Sequence, residues 1–193
     1  MSKHPWNILI LCTGNSARSI LAEALFNALG TGRVRAYSAG SRPAGKVNPH
    51  ALELLEAQGL DTTGLRSKSW DEFAAPDAPP LDLVVTVCGN AASETCPVWP
   101  GNYLRAHWGI DDPAAATGSE ADIRAAFMKA YALLAERILT FLSLSFETME
   151  RSELQQCLDE IGRAGAAATI PESPLQNRLN VGVRENLYLI SIK

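Results

Sequence analysis

Trp6-Asn7-Ile8-Leu9-Ile10-Leu11-Cys12-Thr13-Gly14-Asn15-Ser16-Ala17-Arg18-Ser19 is the stretch that decides the fold. Its first half, residues 6 to 12, is an apolar run of strand length bounded by Gly14. Its second half is C-x5-R, from Cys12 to Arg18. A helical pattern over residues 17 to 29 follows at once. Ile20, Leu21, Ala24, Leu25 and Leu29 share a face, and Gly30 with Gly32 ends the pattern. Strand, tight loop and helix in that order suit an anion site. The spacing lets the loop curl around one tetrahedral oxyanion. Its N–H groups then point inward, and Arg18 closes the ring with a bidentate fork. Thr13, Gly14, Asn15, Ser16, Ala17, Arg18 and Ser19 are the expected anion-binding residues. The loop ends at a helix N-terminus, whose partial positive charge favours an anion. The same field is expected to lower the Cys12 pKa and give the thiolate, the attacking form. Asn15 and Ser16 are expected to tie the loop together. Ser19 reads either as a donor to the thiolate or as a first-turn residue.

Working outward, residues 33 to 38 read as a second strand. Asn48-Pro49 opens a helix, with Asn48 as N-cap, and Gly59 closes it. Residues 81 to 87 and 103 to 108 are two further strands. Ser119 caps the longest helix, whose apolar face runs Ile123, Phe127, Ala130, Leu134, Phe141. A last amphipathic helix is expected over 149 to 163, with Leu154, Cys157, Leu158 and Ile161 inside. The pattern predicts an α/β fold: one domain, a parallel sheet of about four strands, and helices on both faces. Ligands in such sheets sit at the carboxyl ends of strands, at a switch point. The expected organisation is a catalytic domain over 1–146, a C-terminal helix packed on it over 147–163, and a linker and tail of unassigned role over 164–193.

Cys88 follows the third strand as Cys12 follows the first, so both thiols can lie at one edge of the sheet. With Cys96 nearby, the set of three points to redox chemistry rather than hydrolysis. Cys88 and Cys96 lack the C-x2-C spacing of a structural zinc site, and no metal ligand set stands out. The 193 residues carry a formal net charge of -4, which argues against nucleic acid and against an anionic membrane surface. No stretch approaches the roughly 18 apolar residues of a membrane span. The N-terminus lacks the shape of a signal peptide. Four cysteines are too few for a disulfide scaffold and are expected as reduced thiols in the cytoplasm. Asp111 and Asp112 before Pro113 offer a proton donor or a turn. His107-Trp108 reads as a packed strand-end pair, His4 and His50 as exposed. Glu23 is either a loop-supporting acceptor or a surface charge.

These residues together resemble a known family. The run from Cys12 to Ser19, Glu23, Tyr37-Ser-Ala-Gly40, Val85-Thr-Val-Cys88, Cys96-Pro97 and His107-Trp-Gly-Ile-Asp-Asp-Pro113 are similar to the thiol-dependent arsenate reductases. Those share the low-molecular-weight protein tyrosine phosphatase fold. The resemblance covers roughly residues 6 to 163. It implies Cys12 as nucleophile, Arg18 as oxyanion clamp, Asp112 as the acid and Cys88 and Cys96 as relay thiols. It implies arsenate as substrate, with phosphate or sulfate competing. It implies no bound cofactor, and an external thiol reductant, either thioredoxin or glutaredoxin with glutathione. Ala17 stands where many relatives carry another cysteine. Lys68 stands where some place an acidic residue that helps bind potassium. A phosphatase of the same fold needs only Cys12, Arg18 and Asp112. The proline usual in phosphatases after the Arg-Ser pair is Ile20 here, and the aromatic residue usual after Asp-Pro is Ala114. A non-catalytic oxyanion-binding module would use the loop alone.

Overall fold

The computed structural model describes residues 4–89 and 99–164. Cys96 and the stretch 165–193 lie outside the described residues. Four strands form one parallel sheet: β1 (Trp6–Cys12), β2 (Val34–Gly40), β3 (Leu83–Thr86) and β4 (Leu104–His107), in the order β2-β1-β3-β4. The expected α/β class and strand count stand. The third and fourth strands are shorter than their apolar runs, and β2 runs two residues further, to Gly40.

β1 is central. Ile8 to Cys12 are buried on both faces, which is why the run is continuously apolar rather than alternating. From β1 the chain crosses to β2 on one side and later to β3 on the other. That reversal places the switch point between β1 and β3, at their carboxyl ends. Val87 continues the pairing by donating its N–H to the Leu11 carbonyl at 2.9 Å. Cys12 and Cys88 are thereby brought to the same edge.

Among the described residues, four α-helices accompany the sheet: α1 (Arg18–Leu29), α2 (Pro49–Ala57), α3 (Glu120–Ser143) and α4 (Arg151–Arg163). All four contribute to one core with Ile8, Ile10, Leu83 and Val85. The other face, with Leu9, Leu11 and Val84, packs against a 3₁₀ helix (Trp70–Ala74), Trp99 and Tyr103. Helical cover therefore exists on both faces, but it is unequal. Asn48 caps α2 by accepting from the His50 N–H, and Ser119 caps α3 in a capping box with Asp122.

Three expectations about side chains need correction. Leu29 is exposed, whereas Phe26 is fully buried between Trp108 and Phe141. α1 has the sheet on one side and α3 on the other, so its buried surface is wider than one stripe. Cys157 is only half-buried, because α4 lies along the sheet edge and buries the narrow row Leu154, Leu158, Ile161. His107 is exposed, with its Nδ1 2.8 Å from Thr86 Oγ1, while Trp108 alone packs inside. α4 also protects the edge of β4. Arg151 donates to the Asn102 and Tyr103 carbonyls, and Gln155 to that of Arg105. Arg137, buried on the inner face of α3, donates to the carbonyls of Trp108 and Gly162, joining β4's extension to the end of α4. The compact unit that holds all of this ends at Arg163.

Candidate active site

The loop between β1 and α1 is built so that its N–H groups are left for a ligand. α1 begins with no side-chain cap, unlike α2 and α3, and has no acidic residue in its first turn. Its leading N–H groups are therefore not taken by its own sequence. The loop carbonyls are tied outward instead. Thr13, Gly14 and Ser16 accept from the N–H groups of Arg42, Ala44 and Asn48, each at 2.9 Å. Ser67 Oγ donates a further bond to the Gly14 carbonyl and accepts from the Gly45 N–H. The loop carbonyls are thus held by residues 42–48 and 67, and the Asn15 N–H points to the Cys12 sulfur.

Asn15 makes the bend. It sits in the left-handed region at φ 42°, which a short polar side chain tolerates. It is fully buried and fully used. Its Nδ2 donates to Ser19 Oγ (2.9 Å) and Ser38 Oγ (2.8 Å), and its Oδ1 accepts from the Lys68 N–H (2.8 Å). Gly40 lets the strand end approach this closely, since a Cβ there would stand 2.5 Å from the Thr13 carbonyl oxygen. The expectation for Asn15 holds. Ser16 takes part through its carbonyl.

Cys12 is buried at the centre of this arrangement. Its Sγ lies 2.9 Å from Ser19 Oγ and accepts from the Asn15 N–H at 3.1 Å. The thiol is nonetheless pushed above its ordinary value. Burial is the dominant cause, and the hydrogen bonds from Ser19 and Asn15 pull the other way. This corrects the expectation that the loop field lowers it outright. Desolvation outweighs those bonds, and Arg18 is not among the groups that lower the thiol. Arg18 instead donates to Asp112 Oδ2 at 2.6 Å and to the Ile110 carbonyl at 3.3 Å. Asp112 is itself held by the turn, its Oδ1 accepting from the Ala114 N–H. Asp111 is almost fully exposed and pairs with Lys129 at 3.6 Å.

Cys88 is buried two residues past β3, its Sγ 3.6 Å from Thr13 Oγ1. The structure thus brings Cys12, Thr13, Arg18, Cys88 and Asp112 to one edge of the sheet.

Glu23 proves to be an acceptor within the support of the loop. It accepts from Ser38 Oγ at 2.5 Å and faces Lys68 Nζ at 3.5 Å. Burial pushes its carboxyl up and the Lys68 ammonium down, each opposed by the other's charge. In the sequence Ser38 stood out only within the resemblance and Asn48 only as a helix cap, and Ser67 not at all. The Tyr37-Ser-Ala-Gly40 strand end was the available signal, since a Ser and a Gly at the carboxyl end of a buried strand belong near a loop. His50, expected at the surface, is half-buried over Phe127. It forms with Glu53 and Glu120 one group of metal-ligating type among the described residues. Arg124 already ion-pairs with both carboxylates, at 4.0 and 3.0 Å.

Residues 7–162 match the family model described as low molecular weight phosphotyrosine protein phosphatase. The chain belongs to that family. Curated proteins similar to this chain include arsenate reductases. That of Halalkalibacterium halodurans is 40% identical over 134 residues, 69% of this chain and 93% of that protein. That of Bacillus subtilis is 38% identical over the same shares. Among solved structures, the arsenate reductase of Archaeoglobus fulgidus superposes with a TM-score of 0.56 at 31% identity, over 71% of this chain and 99% of that one. A low molecular weight protein tyrosine phosphatase from T. tengcongensis, with a TM-score of 0.52 at 24% identity, shows the fold alone. Among the described residues no helix is long and apolar enough to cross a membrane.

Proposed function

We propose that this protein is a cytoplasmic arsenate reductase that works by a thiol relay, in arsenic detoxification. The observation that carries the reading is the second buried thiol beside the anion loop, Cys88, in contact with Thr13 next to the nucleophile. A phosphatase has no use for it. The arsenate reductase names of the relatives support the substrate.

On this reading the loop amides and Arg18 hold arsenate, for which phosphate and sulfate compete. The Cys12 thiolate attacks arsenic(V), and an S–As bond forms. Asp112 gives its proton to a departing hydroxyl of the arsenate, which leaves as water. The inward amides stabilise the charge on the remaining oxygens. The Cys88 thiolate then attacks Cys12 Sγ. The S–As bond breaks, its electron pair stays on arsenic, and arsenite leaves with arsenic reduced by two electrons. A Cys12–Cys88 disulfide remains. Cys96 attacks Cys88, frees Cys12 and leaves Cys88–Cys96. An external thiol donor, thioredoxin or glutaredoxin with glutathione, reduces that bond by exchange. No bound cofactor, metal, nucleic acid or membrane enters the cycle. Lys68 supplies beside Glu23 the positive charge that a potassium ion supplies in some relatives.

Incubation with arsenate plus each thiol donor, and separately with p-nitrophenyl phosphate, tests the reading. Arsenite release with one of the donors is expected. Phosphate release without arsenite would make the chain a phosphatase, and neither product would leave a binding module.

A further inference from the structure

We propose that Asp112 has a second role, as an internal competitor that occupies Arg18 in the ligand-free protein and so sets how tightly an oxyanion binds. The geometry is that of a substitute ligand. A guanidinium offers its parallel N–H groups to a pair of negative oxygens, whether of a carboxylate or of a tetrahedral oxyanion. Here one terminal nitrogen of Arg18 is taken by Asp112 Oδ2 at 2.6 Å and the other by the Ile110 carbonyl at 3.3 Å. Both terminal nitrogens of Arg18 thus have a partner among residues 110–112, with which an oxyanion reaching for either must compete. Asp112 does not drift into this position. Its other oxygen is fixed by the Ala114 N–H at 3.1 Å, at the start of the 3₁₀ turn Pro113–Ala115.

The burial of the two partners sets the direction of exchange. The Arg18 side chain is 14% exposed and that of Asp112 40%, so the carboxylate stands on the solvent side of the guanidinium. An oxyanion entering the loop must draw Arg18 inward and break a charge-assisted hydrogen bond to do so. Sulfate, phosphate and arsenate all meet the same competitor. Asp111 provides the contrast. It carries the same charge one residue away, yet it is 96% exposed, pairs with Lys129 and makes no bond to Arg18.

This inference rests on residues 12–19 being an oxyanion loop and not on arsenate being reduced. Calorimetric titration of sulfate into the full-length protein therefore tests it apart from turnover. Asp112→Ala and Asp112→Asn should bind sulfate about tenfold more tightly than the parent, the effect of one charge-assisted hydrogen bond at a partly exposed site. Asp111→Asn should change affinity less than about twofold, since an exposed charge is screened. Equal or weaker binding by both Asp112 variants would overturn the proposal. So would an equal gain in Asp111→Asn, which would make the effect one of general charge rather than of contact. Asp112→Asn keeps the shape of the turn should Asp112→Ala not fold. If no form of the protein binds sulfate, the oxyanion-loop reading falls too, which is a different result from binding that Asp112 does not affect.

Discussion

Ser19 Oγ lies 2.9 Å from Cys12 Sγ, the shortest contact the sulfur makes with a side chain. Burial raises the Cys12 pKa, and this bond is the largest of the contributions that lower it. A raised thiol pKa means less thiolate at neutral pH, so rates that need the thiolate should climb as pH rises. Ser19→Ala removes the lowering contribution and should move that climb to higher pH. Alkylation of Cys12 by iodoacetamide, followed by mass mapping against pH, reads the shift. An unchanged or lower midpoint in the variant would show that Ser19 is only a helix residue.

The relay is tested by trapping. Cys12→Ser should abolish turnover, because an alcohol is far less ionised than a thiol. Cys96→Ala should complete one turnover and stop with a Cys12–Cys88 disulfide, visible by mass spectrometry of the intact, non-reduced protein. Cys88→Ala should release no arsenite. If Cys96→Ala cycles as fast as the parent with every donor, the third thiol has no part in the cycle.

Lys68 and Glu23 form a buried pair whose loss should be felt in stability. Lys68→Met leaves the Glu23 carboxylate without its cation, 11% exposed, and should cost roughly 1–3 kcal/mol. The sign with pH follows from the raised carboxyl. A carboxyl whose pKa is higher folded than unfolded keeps its proton longer in the folded state. Its stability contribution is full below the unfolded value and is lost as pH rises through the folded one. The deficit of Lys68→Met should therefore be smallest in mildly acidic buffer and grow towards neutral pH. Melting curves of the parent, Lys68→Met and the double variant Glu23→Gln/Lys68→Met check this. The double variant should regain part of the loss.

How much of this was legible in the sequence depends on the distance between partners. The anion loop is a local object. Strand, loop and helix lie within residues 6 to 29, so their order alone places Cys12 and Arg18. Glu23 was undecidable for the opposite reason. Its partners Ser38 and Lys68 are 15 and 45 residues away, and nothing in a helical pattern distinguishes a buried acid from an exposed one. Cys157 failed on geometry, because a helix on a sheet edge buries a narrower row than one between two layers. The direction of the Cys12 shift failed on electrostatics. The sequence shows the groups that favour a thiolate, but the desolvation that outweighs them appears only in three dimensions.

Residues 165–193 lie outside the family match, which covers 7–162. Removing them should leave sulfate binding, turnover and melting temperature nearly unchanged. A large fall in any of the three would give that segment a place in the working protein.

Asp112 is the last residue to test, as the proton donor when Cys12 bonds to arsenic. A general acid is worth roughly 10²–10⁴-fold in rate. Asp112→Asn preserves the side-chain acceptor at the start of the turn before Pro113 but has no proton to give. It should bind oxyanion no more weakly than the parent, yet lose rate in the first chemical step. Asp111→Asn should be much milder, because its carboxylate faces Lys129 and solvent. Single-turnover rates for both variants, with sulfate inhibition measured alongside, separate binding from chemistry. A crippled Asp111→Asn beside a fast Asp112→Asn would move the role to the other carboxylate. If neither variant slows, the proton comes from water, and Asp112 serves the turn and its bond to Arg18 alone.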